Sequence, residues 1–153
     1  MTRSRKGFTL IEILIAVGII AILAAIVIIA INPARQFQRA RDSQRWSDVN
    51  ALLNGVHQRM VDNKGSFAEG STCDALPAVV SNITSTVAAG NVDLCDCLVT
   101  TYLAALPFDP STSGASFTDC SNYTTGYTIM QAATGRITVS APDNELDTIT
   151  VTR

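Results

Sequence analysis

The sequence predicts an α+β protein: a long N-terminal α-helix, apolar in its first half and amphipathic in its second, followed by a small antiparallel β-sheet head. Three observations carry this. The 24 residues from Phe8 to Ile31 contain one charged group, Glu12. Further on, Trp46, Val49, Leu52, Leu53, Val56 and Met60 recur at three- and four-residue steps, which places them on one helical face. Near the end, Tyr127–Ala132 and Arg136–Ser140 alternate apolar and polar residues, and Leu146–Thr152 offers a third run through Ile149 and Val151. A regular apolar helix face must bury itself, most simply on such a sheet.

Composition sets the outer limits. The 153 residues are 47% hydrophobic and only 16% charged, unlike a disordered or solvating chain. The charges are segregated. Residues 1–64 carry nine Lys/Arg against four Asp/Glu, a balance of +5; residues 65–153 carry two against nine, a balance of −7. A basic, apolar front is joined to an acidic back rich in Ser and Thr, which is not the make-up of an ordinary cytosolic enzyme.

Taken in order, the chain opens with Met1–Gly7, which holds three cations and no acid. The stretch that follows would reach about 36 Å as a helix, enough for a hydrocarbon core of ~30 Å. The positive leader belongs on the cytoplasmic side, which places everything after Ile31 outside. No two alanines between Ala16 and Ala34 stand two residues apart, so the Ala-x-Ala site of a cleaved secretory signal is missing. Hydropathy alone would stop at a membrane anchor. Glu12 asks for more, because a carboxylate costs up to ~2.5–3.5 kcal/mol at the bilayer centre and normally finds a partner. The nearest candidate cation is the α-amino group that cleavage after Gly7 would create at Phe8. That amine could come from the same chain or from a neighbour, where it would set the register between two subunits.

Gly7-Phe8-Thr9-Leu10-Ile11-Glu12, behind a short basic leader and ahead of an apolar helix, resembles the start of bacterial type IV pilins and pseudopilins. The resemblance implies a pilin-like fold. It also implies cleavage after Gly7 by a prepilin peptidase, N-methylation of Phe8, and a role for Glu12 in recruiting and aligning subunits. The implied partners are other pilin subunits in a homopolymer, the peptidase, an assembly platform with its ATPase, and the membrane before assembly. The resulting division is a leader at 1–7, a transmembrane and filament-core helix at 8–31, an amphipathic helix at 32–64 and a head at 65–153. The head divides into an irregular disulfide region (66–122) and a β-meander (123–153).

Many members of the family break the apolar run with a proline, whereas here the first proline is Pro33. Pro33 removes a backbone donor and Asn32 before it is biased away from helix, so a kink or melted turn is expected near Ile29–Pro33 in a helix running from Thr9 to Val61. Asn63-Lys64-Gly65 supplies a glycine stop. Arg35, Arg39, Arg41, Arg45 and Arg59 read as a solvated face, interrupted by Asp42 and Asp48 and without the aromatic platform of a nucleic-acid binder.

In the head, Leu106-Pro107-Phe108-Asp109-Pro110 with Gly126-Tyr127 resembles a segment of major pseudopilins from type II secretion systems, although Ser111-Thr112 replaces their usual Trp-Gly. Several of those proteins bind calcium in the adjoining loop, which marks Asp109, Asp119 and Asp143 as an alternative oxygen-ligand set. No EF-hand spacing accompanies them, and ordinary turn chemistry accounts for Asp and Pro here. Cys73, Cys95, Cys97 and Cys120 all follow the anchor. An even number outside the cytoplasm favours disulfides over a zinc site, which would want paired Cys-x-x-Cys spacing. A Cys95–Cys97 ring would be very tight, leaving each of these two bonded to either Cys73 or Cys120. His57 has no nucleophile and acid announced beside it, and no phosphate loop or metalloprotease motif occurs. The reading is a non-enzymatic, cofactor-free filament subunit. Its alternatives are a secretion pseudopilin and an uncleaved membrane-anchored adhesin or binding domain.

Overall fold

A computed structural model describes residues 7–68 and 73–153. The chain forms two compact units, one ending at Phe37 and the other beginning at Gln38. The architecture is α+β, as the pattern predicted, with three helices and six strands among the described residues.

The first unit is dominated by α1 (Leu10–Ile31), none of whose residues is buried. It is long and apolar enough to cross a membrane by length and composition. The expected single helix is instead two. Asn32 adopts a left-handed conformation (φ 48°, ψ 78°) that ends α1, and α2 (Pro33–Asp62) begins at the next residue. The physical reason combines two neighbours. Proline at the first helical position forgoes only an amide that would lack an intrahelical partner anyway, and Asn tolerates left-handed backbone better than most residues. The Asn32 carboxamide oxygen then accepts from the Arg35 amide at 3.3 Å, so the residue that closes one helix caps the next.

The second unit holds α2 from Gln38 onward and the sheet. Val49, Leu52, Leu53 and Val56 of α2 are wholly buried, which contributes about 1.5–3 kcal/mol each. At the far end of α2, Lys64 and Gly65 take positive φ and the Gly65 amide donates to Met60 O at 2.7 Å, the predicted glycine stop.

The strands are β1 (Ser81–Thr84), β2 (Asn91–Val92), β3 (Ser116–Asp119), β4 (Asn122–Gln131), β5 (Ile137–Ala141) and β6 (Ile149–Thr152), with a short α3 at Cys95–Leu98. The sheet order is β2-β1-β4-β5-β6, and β3 also pairs with β4. The meander β4-β5-β6 is antiparallel, with Ile129 opposite Val139 and Val139 opposite Val151. Tyr123, Tyr127 and Ile129 of β4 and Ile137, Val139 and Ala141 of β5 bury alternate side chains with Thr125, giving the period-two face that packs with α2.

Two expectations are corrected. The sheet is larger than a meander of two or three strands, and β1 pairs with β2 in parallel. β4 begins at Asn122, one residue before the expected meander. The hydroxyls of Thr124 and Thr125 find partners on β1. Thr125 is completely buried, and its hydroxyl donates to Ile83 O at 2.9 Å.

Gly126 sits in β4 with φ +76°, where a Cβ would stand 3.0 Å from Asp109 Cβ and 3.2 Å from Thr112 Oγ1. The loop after Leu106 crosses the strand there. Gly126→Ala is expected to destabilise the head by about 2–4 kcal/mol, combining left-handed strain with overpacking. An unchanged denaturation midpoint for the full chain in detergent would show that the crossing relaxes.

Candidate processing and assembly site

At the N-terminal end, Gly7, Phe8 and Thr9 precede the first helical residue, and Phe8 is 79% exposed. Residues 1–6 of the expected leader lie outside the described residues. Thr9 is extended (φ −81°, ψ 152°) and forms a capping box with Glu12: the Glu12 amide donates to Thr9 Oγ1 at 3.3 Å, and the Thr9 amide donates to Glu12 Oε2 at 3.5 Å. Sequence reasoning gave Glu12 the Phe8 amine as its partner and did not consider a cap. The Thr-x-x-Glu spacing was the signal for this local role. The acid sits in the first turn, where the helix dipole favours negative charge. A single carboxylate thus stands in the first turn of an exposed 22-residue helix that is otherwise apolar, one turn beyond Phe8.

The arginine series is only in part the solvated face expected: Arg35 and Arg39 are exposed, whereas Arg45 and Arg59 are buried. Arg45 is completely buried. Its Nε and Nη2 hold both Asp109 oxygens at 2.6 and 3.0 Å, Nη1 reaches Asp42 at 2.7 Å and Glu145 at 3.3 Å, and Nη2 also donates to Ser111 Oγ. Arg41 forks onto Glu145 as well. Asp42 in turn accepts from the amides of Glu145 and Leu146. Three stretches distant in sequence are fastened by this cluster: α2, the 106–112 loop and the β5–β6 loop. Burial alone would raise the Asp109 carboxyl, but Arg45 and the Ser111 and Thr112 amides outweigh it and bring it down to about 2. The same surroundings raise Arg45 further, so it stays charged. Arg59 is also buried; it donates to Phe67 O and Cys97 O and covers the Phe67 ring at 5.3 Å. The Asp42–Arg45 spacing of three on a helix was the only sequence signal for the cluster.

The three carboxylates of the calcium alternative have separate tasks. Asp109 holds Arg45, Asp119 accepts from the Ser121 amide and hydroxyl, and Asp143 accepts from Thr112 Oγ1. Among the described residues no group of three or more His, Cys, Asp or Glu is placed to hold a metal ion. The cysteines pair as Cys73–Cys97 and Cys95–Cys120. Half-buried His57 places Nδ1 2.8 Å from Leu53 O, a local helix contact.

An exposed apolar helix opened by Gly-Phe and one acid, ahead of an α+β head, is the arrangement that the resemblance to pilins implies. Residues 2–31 match the family model of the prokaryotic N-terminal methylation motif. The chain is also 43% identical, over 61 residues, to the type IV wide pilus major component PilA4 of Thermus thermophilus. That similarity covers 40% of this chain and 45% of the relative, so the chain spans less than half the relative's length. No solved structure matches. Motif and relative together support a pilin subunit.

Proposed function

We propose that the chain is the structural subunit of a type IV pilus-like filament, made as a membrane-anchored precursor with its head outside. A prepilin peptidase cleaves after Gly7 and methylates Phe8. The observation that carries this reading is α1: none of its residues is buried, and it bears one acid, Glu12, one turn beyond Phe8. Such a surface needs lipid first and other copies of the helix afterwards, with Gly18 and the alanines allowing close approach. In the filament, Glu12 meets the Phe8 amine of a neighbour, which neutralises both charges and sets the axial register. The assembly platform and its ATPase drive extraction from the membrane, and the finished fibre serves adhesion, motility or DNA uptake.

The test is the intact mass and N-terminal sequence of unreduced protein from sheared surface material. The expected chain starts at methylated Phe8 and is four hydrogens lighter for two disulfides. A chain that keeps residues 1–7 and stays in the membrane would leave an anchored adhesin or binding domain. Glu12→Ala is expected to insert normally yet reduce filament yield at least tenfold; wild-type yield would remove Glu12 from assembly. The Leu106–Pro110 segment favours the second reading, a secretion pseudopilin. A secretion defect in a strain lacking the protein, without surface fibres in the parent, would establish that reading instead.

A further inference from the structure

The face of the sheet turned away from α2 carries a cleft of about 410 Å3 that lies wholly within the second unit. Alternation decides what lines it. Ile83, Tyr123 and Thr125 turn inward and are buried, which leaves Asn82, Thr84, Thr124 and Gly126 on the opposite side of β1 and β4. Gly126 brings no side chain, so the floor stays open where the loop after Leu106 crosses the strand. Asn91 stands opposite Asn82 in the β2 register, and Asp143 comes from the β5–β6 loop, its Oδ2 accepting from the Thr112 hydroxyl.

Apart from Gly126 and Pro142, the residues bordering the cleft all end in a hydroxyl, a carboxamide or a carboxylate, and none is cationic or aromatic. Their own contacts hold them in place. Asn82 Nδ2 donates to Asn91 Oδ1 at 3.3 Å, Asn91 Nδ2 donates to Thr86 O at 3.0 Å, and the Thr84 and Thr124 hydroxyls lie 3.2 Å apart. No hydrogen bond among the described residues takes up Asn82 Oδ1, the Thr86 hydroxyl or Asp143 Oδ1, so each has capacity for a ligand.

This chemistry selects the ligand. An anion would meet the Asp143 carboxylate with no cation to offset it. An apolar ligand would leave amides and hydroxyls without partners. A neutral ligand that donates and accepts at several closely spaced points meets both conditions, and the hydroxyls of a sugar ring do this. The strand registers extend the surface. Asn91, Asn82, Thr128, Ser140 and Thr150 stand opposite one another in turn across five strands. They make a row of hydroxyls and amides roughly 19 Å long at ~4.8 Å per strand, which suits an extended chain of rings.

We propose that the cleft binds a neutral hexose unit of a glycan, with the cross-strand row as the track for the rings that follow. Asp143 accepts from ring hydroxyls on one side, while Asn82 and Thr86 exchange hydrogen bonds with them on the other. This goes beyond the filament reading and does not depend on it, because every group involved belongs to the head. Such bonds largely replace bonds to water, so a single ring is held with a Kd of about 1 mM and affinity grows with chain length.

The test uses the full chain in dodecylphosphocholine micelles, which contribute no sugar, with saturation-transfer NMR as the readout. The probes are glucose, galactose, mannose and N-acetylglucosamine, followed by the linear tetramer and the uronic acid of the best binder. At least one sugar is expected to bind in the millimolar range, its tetramer at least tenfold more tightly and its uronic acid at least tenfold more weakly. Asp143→Ala and Asn82→Ala should each weaken binding at least fivefold, and Thr86→Arg, which fills the cleft from an exposed position, should abolish it. Thr150→Ala should remove most of the tetramer's gain and leave the single ring unchanged. Dispersed amide spectra common to all variants show that the head is folded. Absence of transfer to every sugar, or undiminished binding by Thr86→Arg, would overturn the site. A uronic acid bound equally well would overturn the neutral ligand, and a tetramer no tighter than one ring would overturn the track. A chain that forms no filament should bind sugar equally, which separates failure of this site from failure of the filament reading.

Discussion

Arg45→Ala is expected to destabilise the head by about 3–5 kcal/mol, because it leaves Asp109 buried without its counter-ion. That is a large share of the ~5–15 kcal/mol that holds a domain together. The informative control is Arg45→Met combined with Asp109→Leu, which removes both charges and keeps apolar volume. It is expected to recover most of the loss, since breaking a buried pair costs far more than replacing it. Equilibrium denaturation of the full chain in detergent measures both. A single variant as stable as wild type would mean that water reaches Asp109 and that the cluster is peripheral. The pH dependence follows with a definite sign. Asp109 titrates near 2 in the folded chain, below the ~3.9 of an unfolded aspartate, and Asp42 and Glu145 are lowered too. In that window the unfolded state binds more protons, so this stabilisation is complete above about pH 4 and is lost as the pH falls toward 2.

Opening both disulfides is the second large effect. Cys73–Cys97 and Cys95–Cys120 close loops with sequence separations of 24 and 25, for which chain-entropy arguments give roughly 3 kcal/mol each. Because Cys95 and Cys97 stand two residues apart on α3, the loops overlap, and together they span most of the region between α2 and β4. Among the described residues that region holds β1, β2, β3 and one short helix, with two residues in β2. Losing both bonds therefore brings the head close to the unfolding threshold. Denaturant midpoints with and without reductant are expected to differ strongly, and Cys95→Ala/Cys120→Ala alone should account for about half the shift. A midpoint indifferent to reductant would assign the stability of this region to its hydrogen bonds instead.

What was legible in the sequence was whatever repeats. The apolar run of α1, the three-and-four stripe of α2 and the alternation of β4 and β5 each impose a period, and each element is present. Pro33 placed the break within Ile29–Pro33, although not its form, because a left-handed Asn32 is one of several ways to accommodate that proline. The rest was hidden by a shared cause. Thr84 and Thr125 are buried polar residues whose hydroxyls donate to Tyr123 O and Ile83 O, 39 and 42 positions away. Nothing local separates such a residue from one in a solvated loop. Arg45 is the extreme instance: its surroundings are assembled from Asp42, Asp109, Ser111 and Glu145, and only the folded sheet brings them together. At the N-terminal site, Gly7, Phe8 and Glu12 could be read directly, because the chemistry there is written in consecutive residues. The capping role of Thr9 was equally local and was recognised only from geometry.

The outer strands of the sheet bear on how such a chain avoids the wrong polymer. β2 offers two residues and β6 four, the latter running into Arg153, whose backbone pairs with Ile137 and whose guanidinium reaches Asn50 and Asn54. Unpaired ladder groups on an outer strand are a template for amyloid-like stacking, and a brief strand or a charged side chain beside it blunts it. In the proposed filament, subunits concentrated at a growing fibre base would be especially exposed to that hazard. With the strand templates so curtailed, ordered growth would fall to the helices, and a destabilised head would be more prone to tangle than to extend.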